Sequence, residues 1–213
     1  MKNLYSLVMF GLLFFQFGLA QIDNKEKIEE YTDLNKALSE PELVVRLNLS
    51  GQNIDLENQN FGVFKNLEYL NLKNEHLKSI PKSISQLSKL KVLDLSGNDF
   101  IELSDDFYKL INLEELYLNE EKNINLPKTL RLLGKLPNLK SLHLENDNLD
   151  SLPIEIKNLQ NLEYLYLNQN SFNEIPKELK GLDHLQYLDL KLNKIAPTIF
   201  TPENINFGFK IGL

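Results

Sequence analysis

The amino-acid sequence predicts an α/β fold: a right-handed, curved solenoid with a parallel β-sheet on its concave side and short helical or irregular limbs on its convex side. Composition is the first observation, because 45 of the 213 residues are leucine and 26 are asparagine, whereas three are alanine. Such a bias indicates one short template used repeatedly. The second observation is that the motif LxxLxL recurs along most of the chain, and the third is an aliphatic-proline pair that recurs behind it.

Seven repeats follow from this spacing. They start at Val44, Leu67, Leu90, Leu113, Leu139, Leu162 and Leu185, at intervals of 23 residues with one interval of 26. The fourth and sixth positions are leucine in every repeat. Alternating leucines place their side chains on one face of a short strand, and strands stacked in parallel ~4.8 Å apart bury a continuous leucine column. Proline then ends regular strand pairing and turns a wider return limb, so the stack curves.

The second half of the repeats completes a known motif. The aliphatic-proline pairs are Ile80-Pro81, Leu126-Pro127, Leu152-Pro153 and Ile175-Pro176, and each is followed by two further apolar positions. With them, residues 44–197 resemble the leucine-rich repeat family in its 23-residue form, LxxLxLxxNxLxxLPxxIxxLxx. The resemblance implies a solenoid that serves as a binding scaffold. It does not identify the partner, because the exposed positions of such repeats vary freely.

The N-terminus has the pattern of an export signal. Residues 1–20 combine Lys2, an apolar run from Leu4 to Phe17, and the small residues Gly18 and Ala20, which predicts cleavage after Ala20. The alternative is a retained membrane anchor, but the apolar run is short for a span. We therefore expect a secreted or periplasmic protein without stable membrane insertion after cleavage. The cysteine-free, alanine-poor composition favours a bacterial source.

Caps are expected at both ends, because a solenoid would otherwise expose its leucine column. Residues 21–43 are interpreted as a linker and helical cap, in which Thr32 is the N-cap and Leu34, Ala37 and Leu38 share one face. Residues 198–213 are interpreted as a C-terminal cap or tail. Their alternating apolar residues predict a strand, and the alternative is a binding or export tail: Ile205, Phe207, Phe209, Ile211 and Leu213.

Two irregularities interrupt the repeat. The ninth position, where the family has asparagine, holds Gln52, Glu75, Asn98, Glu121, Asp147, Asn170 and Asn193. A carboxylate accepts hydrogen bonds but donates none unless protonated. We therefore expect a broken ladder around the second and fourth repeats, with looser turns or acids facing solvent; a calcium site at these acids is the alternative. The fourth repeat also has three extra residues around Arg131–Pro137, which predict a longer helical turn or a local contact surface.

The sequence predicts no catalytic residues, metal site or cofactor, and hence no enzyme. It has no cysteine, and its histidines, His76, His143 and His184, occupy different repeat positions that cannot converge. His143 and Glu145 share a strand face, but a metal needs three or four converging ligands. The formal net charge of −7 argues against nucleic acid as a partner.

The candidate binding surface is the concave face, where the strand residues between the leucines must point away from the core. Five of the eight tyrosines lie at these positions. The candidate residues are Tyr69, Glu115, Tyr117, His143, Glu145, Tyr164, Tyr166, Tyr187 and Asp189. Neighbouring repeats should place Tyr117, His143 and Tyr166 in one row, with Tyr164 and Tyr187 in another.

Tyrosine is enriched in binding sites, although it also suits strands for structural reasons alone. We expect a monomer that binds a protein or peptide carrying basic and apolar groups. A glycan or cell-envelope ligand is the alternative, and a structural role through end-to-end packing of the caps is the third.

Overall fold

The structure, a computed structural model, describes residues 29–196 and 208–213, which contain one parallel sheet with its strands in sequence order. Each strand is two or three residues long because each repeat contributes only one LxL segment. The strands are β1 (Glu30–Tyr31), β2 (Arg46–Asn48), β3 (Tyr69–Asn71), β4 (Val92–Asp94), β5 (Glu115–Tyr117), β6 (Ser141–His143), β7 (Tyr164–Tyr166), β8 (Tyr187–Asp189) and β9 (Lys210–Gly212). The predicted solenoid is confirmed.

The leucines of the repeat stack as the motif predicts. Leu116 on β5 is the register partner of Leu142 on β6, which in turn pairs with Leu165 on β7. All three side chains are fully buried. The same register continues from β2 to β8, so one hydrophobic core runs the length of the solenoid.

Short helices form the return limbs. Most are 3-10 helices: Pro41–Leu43, Phe61–Val63, Lys82–Gln86, Asp105–Lys109, Ile154–Asn158 and Lys177–Leu179. The repeat with the three extra residues instead carries an α-helix, Leu126–Leu133, which buries Leu126, Leu130, Leu132 and Leu133. The extra residues thus lengthen a helical turn on the convex side, as expected.

The asparagine ladder at the ninth position joins successive repeats. The Asn98 side-chain carbonyl accepts hydrogen bonds from the Glu75 and Leu77 backbone amides at 3.2 and 3.0 Å. Its side-chain amide donates to the backbone carbonyls of Leu72 and Leu95 at 3.0 and 2.6 Å. Asn170 and Asn193 make equivalent donations.

The ladder acids do not face solvent, so that part of the sequence prediction was wrong. Glu75, Glu121 and Asp147 are buried, with exposed fractions of 5%, 2% and 6%. Each carboxylate keeps the accepting half of the asparagine contact: Glu121 accepts from the Asn98 backbone amide at 2.7 Å, and Asp147 accepts from the Glu121 backbone amide at 2.7 Å. Burial raises the pKa of Glu121 to about 8 and the pKa of Asp147 to about 7.

A second ladder occupies the last position of the repeats and was missed from the sequence. The side-chain amides of Asn112, Asn138 and Asn161 each donate to a backbone carbonyl of the preceding repeat, and that of Asn66 donates to the Glu42 carbonyl of the N-terminal cap, all at 2.7–2.8 Å. In the sixth repeat His184 takes this position, with its Nδ1 at 2.8 Å from the Gln160 carbonyl oxygen. This hydrogen bond between repeats accounts for the histidine at position 184.

The ends of the sheet are capped. The helix α1, Leu34–Ser39, buries Ala37 completely, but its N-cap is Asp33 and not Thr32, because the Asp33 carboxylate accepts from the Lys36 backbone amide at 3.0 Å. At the other end β9 pairs in parallel with β8. Phe209 and Ile211 pack against the core, which confirms the predicted cap strand where it is described.

Other sequence predictions lie outside the described residues. They include the export signal at residues 1–20, most of the linker before residue 29, and the positions of Ile205 and Phe207. Within the described ranges, no helix is long and apolar enough to cross a membrane.

Candidate functional site

The exposed face of strands β5 to β8 carries the densest group of candidate residues. Because the alternate strand residues, Leu116, Leu142, Leu165 and Leu188, are drawn into the core, the residues on either side of them must point outward. The parallel register then aligns equivalent positions of neighbouring repeats, so that Tyr117 lies beside His143 and His143 beside Tyr166. The predicted row is confirmed.

The rings of this row are in contact. Tyr117 stacks on His143 with ring centroids 3.8 Å apart and planes inclined by 17°, and His143 stacks on Tyr166 at 4.1 Å and 5°. Tyr187 extends the group, at 5.8 Å from Tyr166 and a tilt of 58°. We call Tyr117, His143, Tyr166 and Tyr187 the aromatic row. Face-to-face packing hides most of the inner ring faces, so the row presents ring edges and hydroxyls to solvent.

Two carboxylates lie within hydrogen-bonding distance of the histidine in the middle of the row. His143 Nε2 lies 3.0 Å from Glu115 Oε1, and His143 Nδ1 lies 3.3 Å from Glu145 Oε2. The Tyr117 hydroxyl donates to the same Glu115 oxygen at 2.8 Å. We call Glu115, His143 and Glu145 the acid–histidine triad. The sequence placed His143 and Glu145 together, and the structure adds Glu115 from the neighbouring strand.

The electrostatics of the triad are reciprocal. His143 is 7% exposed. Burial on its own would lower the pKa of His143, but the hydrogen bonds to Glu115 and Glu145 outweigh burial and raise it above the usual value. The same hydrogen bonds from His143 lower the pKa of Glu115 and of Glu145. The geometry therefore favours an imidazolium between two carboxylates.

Polar side chains adjoining the triad were not singled out from the sequence. The Asn119 side-chain carbonyl accepts from the Glu145 backbone amide at 2.9 Å. A hydrogen bond with Asn168 also lowers the pKa of Glu145. Both asparagines occupy the seventh position of their repeats, just beyond the strands. Their register could have been deduced from the repeat, but asparagine is so frequent in this chain that residue type gave no signal.

The remaining candidates divide into near and distant ones. The Tyr187 hydroxyl donates to Asp189 at 3.3 Å, and Lys191 Nζ lies 3.5 Å from the same carboxylate. Tyr164 is the register partner of Tyr187, as predicted, and its hydroxyl donates to Gln186 at 3.4 Å. Tyr69 does not join this group: it lies on β3, where the Arg46 guanidinium covers its ring at 3.8 Å.

The site offers contact area and negative charge. In the part of the chain that the structure describes, no group of three or more His, Asp or Glu side chains is placed to hold a metal ion. What the arrangement provides is a preformed strip of tyrosine edges with two carboxylates beside it, on a scaffold whose backbone is fixed by the sheet and both ladders. Such a strip is suited to binding.

Comparison with known proteins places this surface in context. The sequence model described as Leucine rich repeat matches residues 36–100 and 137–195. No curated protein sequence matches the chain. Among solved structures, a leucine-rich repeat protein of Leptospira interrogans is 31% identical with a TM-score of 0.62, covering 86% of this chain and 54% of that one.

Two further structures are similar. An internalin from Listeria monocytogenes is 26% identical with a TM-score of 0.56, covering 74% of this chain and 44% of that one. TLR13, in a complex with ssRNA13, is 27% identical with a TM-score of 0.67, covering 86% of this chain and 29% of that one. The chain spans about half the length of the Leptospira and Listeria proteins.

Proposed function

Because the chain belongs to the leucine-rich repeat family, we propose that it is an exported, non-catalytic binding protein whose partner is a protein or peptide held on the concave face of repeats four to seven. The fold of this family commonly serves as a protein-interaction module. The finer statement, that this face and these repeats bind, is the proposal.

The aromatic row is the observation that carries the proposal. Its rings are packed against one another before any partner arrives, so little conformational entropy is lost when their edges and hydroxyls make contacts. Tyrosines in such a position provide large contact area together with a hydrogen-bonding group. The leucine column and the ladders require none of these tyrosines, which leaves binding as the better explanation of their clustering.

The ring geometry favours a protein over a glycan. A sugar stacks on an open aromatic face, whereas both faces of His143 and the inner faces of Tyr117 and Tyr166 are occupied, at 3.8 and 4.1 Å. Ring edges and hydroxyls match the amides and apolar side chains of a peptide better. The charge supports the same partner class, because an acidic surface repels phosphate backbones.

Export is the second part of the proposal. It rests on the signal pattern of residues 1–20. Two of the similar structures, from Leptospira interrogans and Listeria monocytogenes, are bacterial, which fits the proposed bacterial source. Mass spectrometry of the N-terminus of the exported protein checks this part. A mature chain starting at Gln21 is expected, and a chain still carrying residues 1–20 would contradict cleavage.

Capture of the partner tests the binding surface. The chain without residues 1–20 is used as bait in a crosslinking pull-down from the producing cells, beside the double variant Tyr117→Ala with Tyr166→Ala. We expect the double variant to lose the captured protein while its melting temperature stays nearly unchanged, because both rings are half-exposed. Tyr69→Ala is the matched control on another strand. Undiminished capture by the double variant would reject the site, and a glycan array run in parallel separates the two ligand classes.

A further inference from the structure

We propose that the partner docks a basic segment, rich in arginine or lysine, against Glu115 and Glu145. Protonation of His143 weakens this binding, because the imidazolium then donates a hydrogen bond to both carboxylates. The inference rests on the proposed function and deepens it, since it names the chemistry of the partner and the condition under which the site is open. Its evidence is the distribution of charge around the triad.

The binding half of the concave face has carboxylates without cationic counterparts. At the outward positions of repeats four to seven the acids are Glu115, Glu145 and Asp189, and the only lysine or arginine is Lys191. Lys191 lies 3.5 Å from Asp189, which accounts for that acid. Within residues 29–196 and 208–213, the ion pairs of Glu115 and Glu145 involve only His143.

No cation on the neighbouring strands compensates for this charge. On β4, beyond Tyr117, the outward residue is Asp94, which is acidic, and on β7 the outward residues are Tyr164 and Tyr166. Beyond the strand ends, Glu120 lies 4.0 Å from Lys73, so that lysine serves another acid. A basic partner would therefore meet charge that the free protein has not neutralised.

The histidine decides how much of that charge is available. An imidazolium has two N–H groups, and the two ring nitrogens of His143 lie at 3.0 and 3.3 Å from Glu115 and Glu145, so both acids receive a hydrogen bond. A neutral imidazole has one N–H. Its other nitrogen then presents a lone pair to a carboxylate oxygen, and the net charge of the triad changes from −1 to −2.

The stack prevents the ring from escaping this conflict. His143 is 7% exposed and lies between Tyr117 and Tyr166, so it cannot turn away from the carboxylates without breaking both ring contacts. The acid that loses the imidazole N–H keeps only neutral donors, such as the Tyr117 hydroxyl for Glu115 or Asn168 for Glu145, and no cation. A guanidinium supplies several N–H donors in a geometry that fits a carboxylate. Loss of the His143 proton therefore prepares the site for a basic side chain.

The test uses a short synthetic peptide of alternating arginine and leucine, with an alternating glutamate and leucine peptide as its counterpart. Both peptides are acetylated at the N-terminus and amidated at the C-terminus, and arginine keeps its charge over the whole range, so the arginine peptide adds no titration of its own. At low ionic strength, we expect the affinity of the arginine peptide to rise roughly tenfold from about pH 5.5 to about pH 8.5, because binding then no longer competes with one proton. The glutamate peptide should not bind.

Matched variants assign the effect. His143→Gln should remove the pH dependence, whereas His76→Asn, a substitution of an exposed histidine at positive φ, should keep it. Glu115→Gln with Glu145→Gln should lose the peptide at every pH. The buried acids Glu121 and Asp147 titrate in an overlapping range, so Glu121→Gln with Asp147→Asn serves as a second control that keeps the response.

A direct readout is the NMR titration of the three histidines. Adding the arginine peptide should lower the pKa of His143 and leave the signals of His76 and His184 unmoved. Affinity that is flat or falls with rising pH, a response retained in His143→Gln, or equal binding of the glutamate peptide would each overturn the inference. None of these results touches the proposed binding surface, which fails if partner capture survives loss of Tyr117 and Tyr166.

Discussion

The two halves of the concave face share one backbone and differ in almost everything exposed on it. Strands β2 to β4 and strands β5 to β8 have the same length, register and buried leucines. The first half presents Arg46, Lys73 and a single tyrosine, whereas the second presents the aromatic row and the triad. The repeat thus separates two tasks: its fourth and sixth positions hold the scaffold, and its third, fifth and seventh are free to become a site.

The two halves also differ in whether their charged side chains have partners within the protein. Tyr69 is covered by Arg46 at 3.8 Å, and Arg46 in turn lies 3.2 Å from Glu30. That group is closed, with one cation serving one ring and one acid. In the second half, Glu115 and Glu145 share one titratable histidine. Asp94 on β4 also has no ion pair among the described residues, so missing charge pairing alone does not separate the halves. The comparison teaches that two carboxylates paired only with a titratable histidine, beside stacked rings, distinguish the candidate binding half.

The largest effect is expected where the halves are the same. Leu70→Ala and Leu165→Ala each remove a fully buried side chain from equivalent positions of the column. Each should lower the free energy of unfolding by about 2–5 kcal/mol, because the cavity between adjacent repeats cannot collapse. Urea titration measures both. A large cost in one half and a negligible cost in the other would show that the scaffold is not uniform and would undermine the comparison.

A second effect sharpens the contrast within the ladder, since two of its acids, Glu121 and Asp147, belong to repeats four and five, in the candidate binding half. Their pKa values are raised by burial to about 8 and about 7, whereas an unfolded chain ionises them near pH 4. The unfolded state therefore releases protons first, and stability falls as pH rises from about 4 to about 8. At about 1.4 kcal/mol per pKa unit, the difference from the unfolded value near 4 is worth at most about 4–5 kcal/mol for each acid.

The matched variant replaces both acids by amides, Glu121→Gln with Asp147→Asn. Amides cannot ionise, and they can donate as Asn98 does to the Leu72 carbonyl. Urea titrations at about pH 5 and about pH 8.5 compare this variant with the parent chain. In the variant, the free energy of unfolding should fall much less as pH rises from about 5 to about 8.5. A smaller fall of the same sign remains, because the pKa of His143 is also raised in the folded state. An unchanged decline would mean that these acids are not the source.

The scaffold could be predicted from the sequence because its determinants are periodic. Every leucine of the column, including Leu116, Leu142 and Leu165, is specified by spacing alone, and the same spacing aligned Tyr117 with His143 and Tyr166. The caps were predicted from the spacing of apolar residues and from helix-capping residues, with an error of one residue at the Asp33 N-cap. Its cause was the choice between two adjacent capping residues, which only the direction of the side chain decides.

What failed depended on burial of single polar groups. The acids of the second and fourth repeats, Glu75 and Glu121, were expected in solvent or in looser turns, because a carboxylate cannot donate. Both are buried, and each accepts backbone N–H groups of the preceding repeat. The triad includes a contact between two strands. The sequence therefore predicted that Glu115 lies on the concave face, but not that it contacts His143. Periodicity predicts which face and which strand position a residue occupies. Which neighbouring side chain it contacts depends on the length and rotamer of both side chains.

The smallest effect tests the first half of the face directly. Arg46→Ala removes the guanidinium from the Tyr69 ring and from Glu30, which should cost about 0.5–1 kcal/mol, because a cation over a half-exposed ring is worth little in water. Partner capture and binding of the arginine peptide should be unchanged, since neither ligand reaches this closed group. A stability loss within that range with capture intact would support the division. If Arg46→Ala instead loses the partner as completely as Tyr117→Ala with Tyr166→Ala is expected to, the partner contacts the whole concave face. The strands before and after the boundary between β4 and β5 would then differ in charge but share one binding function.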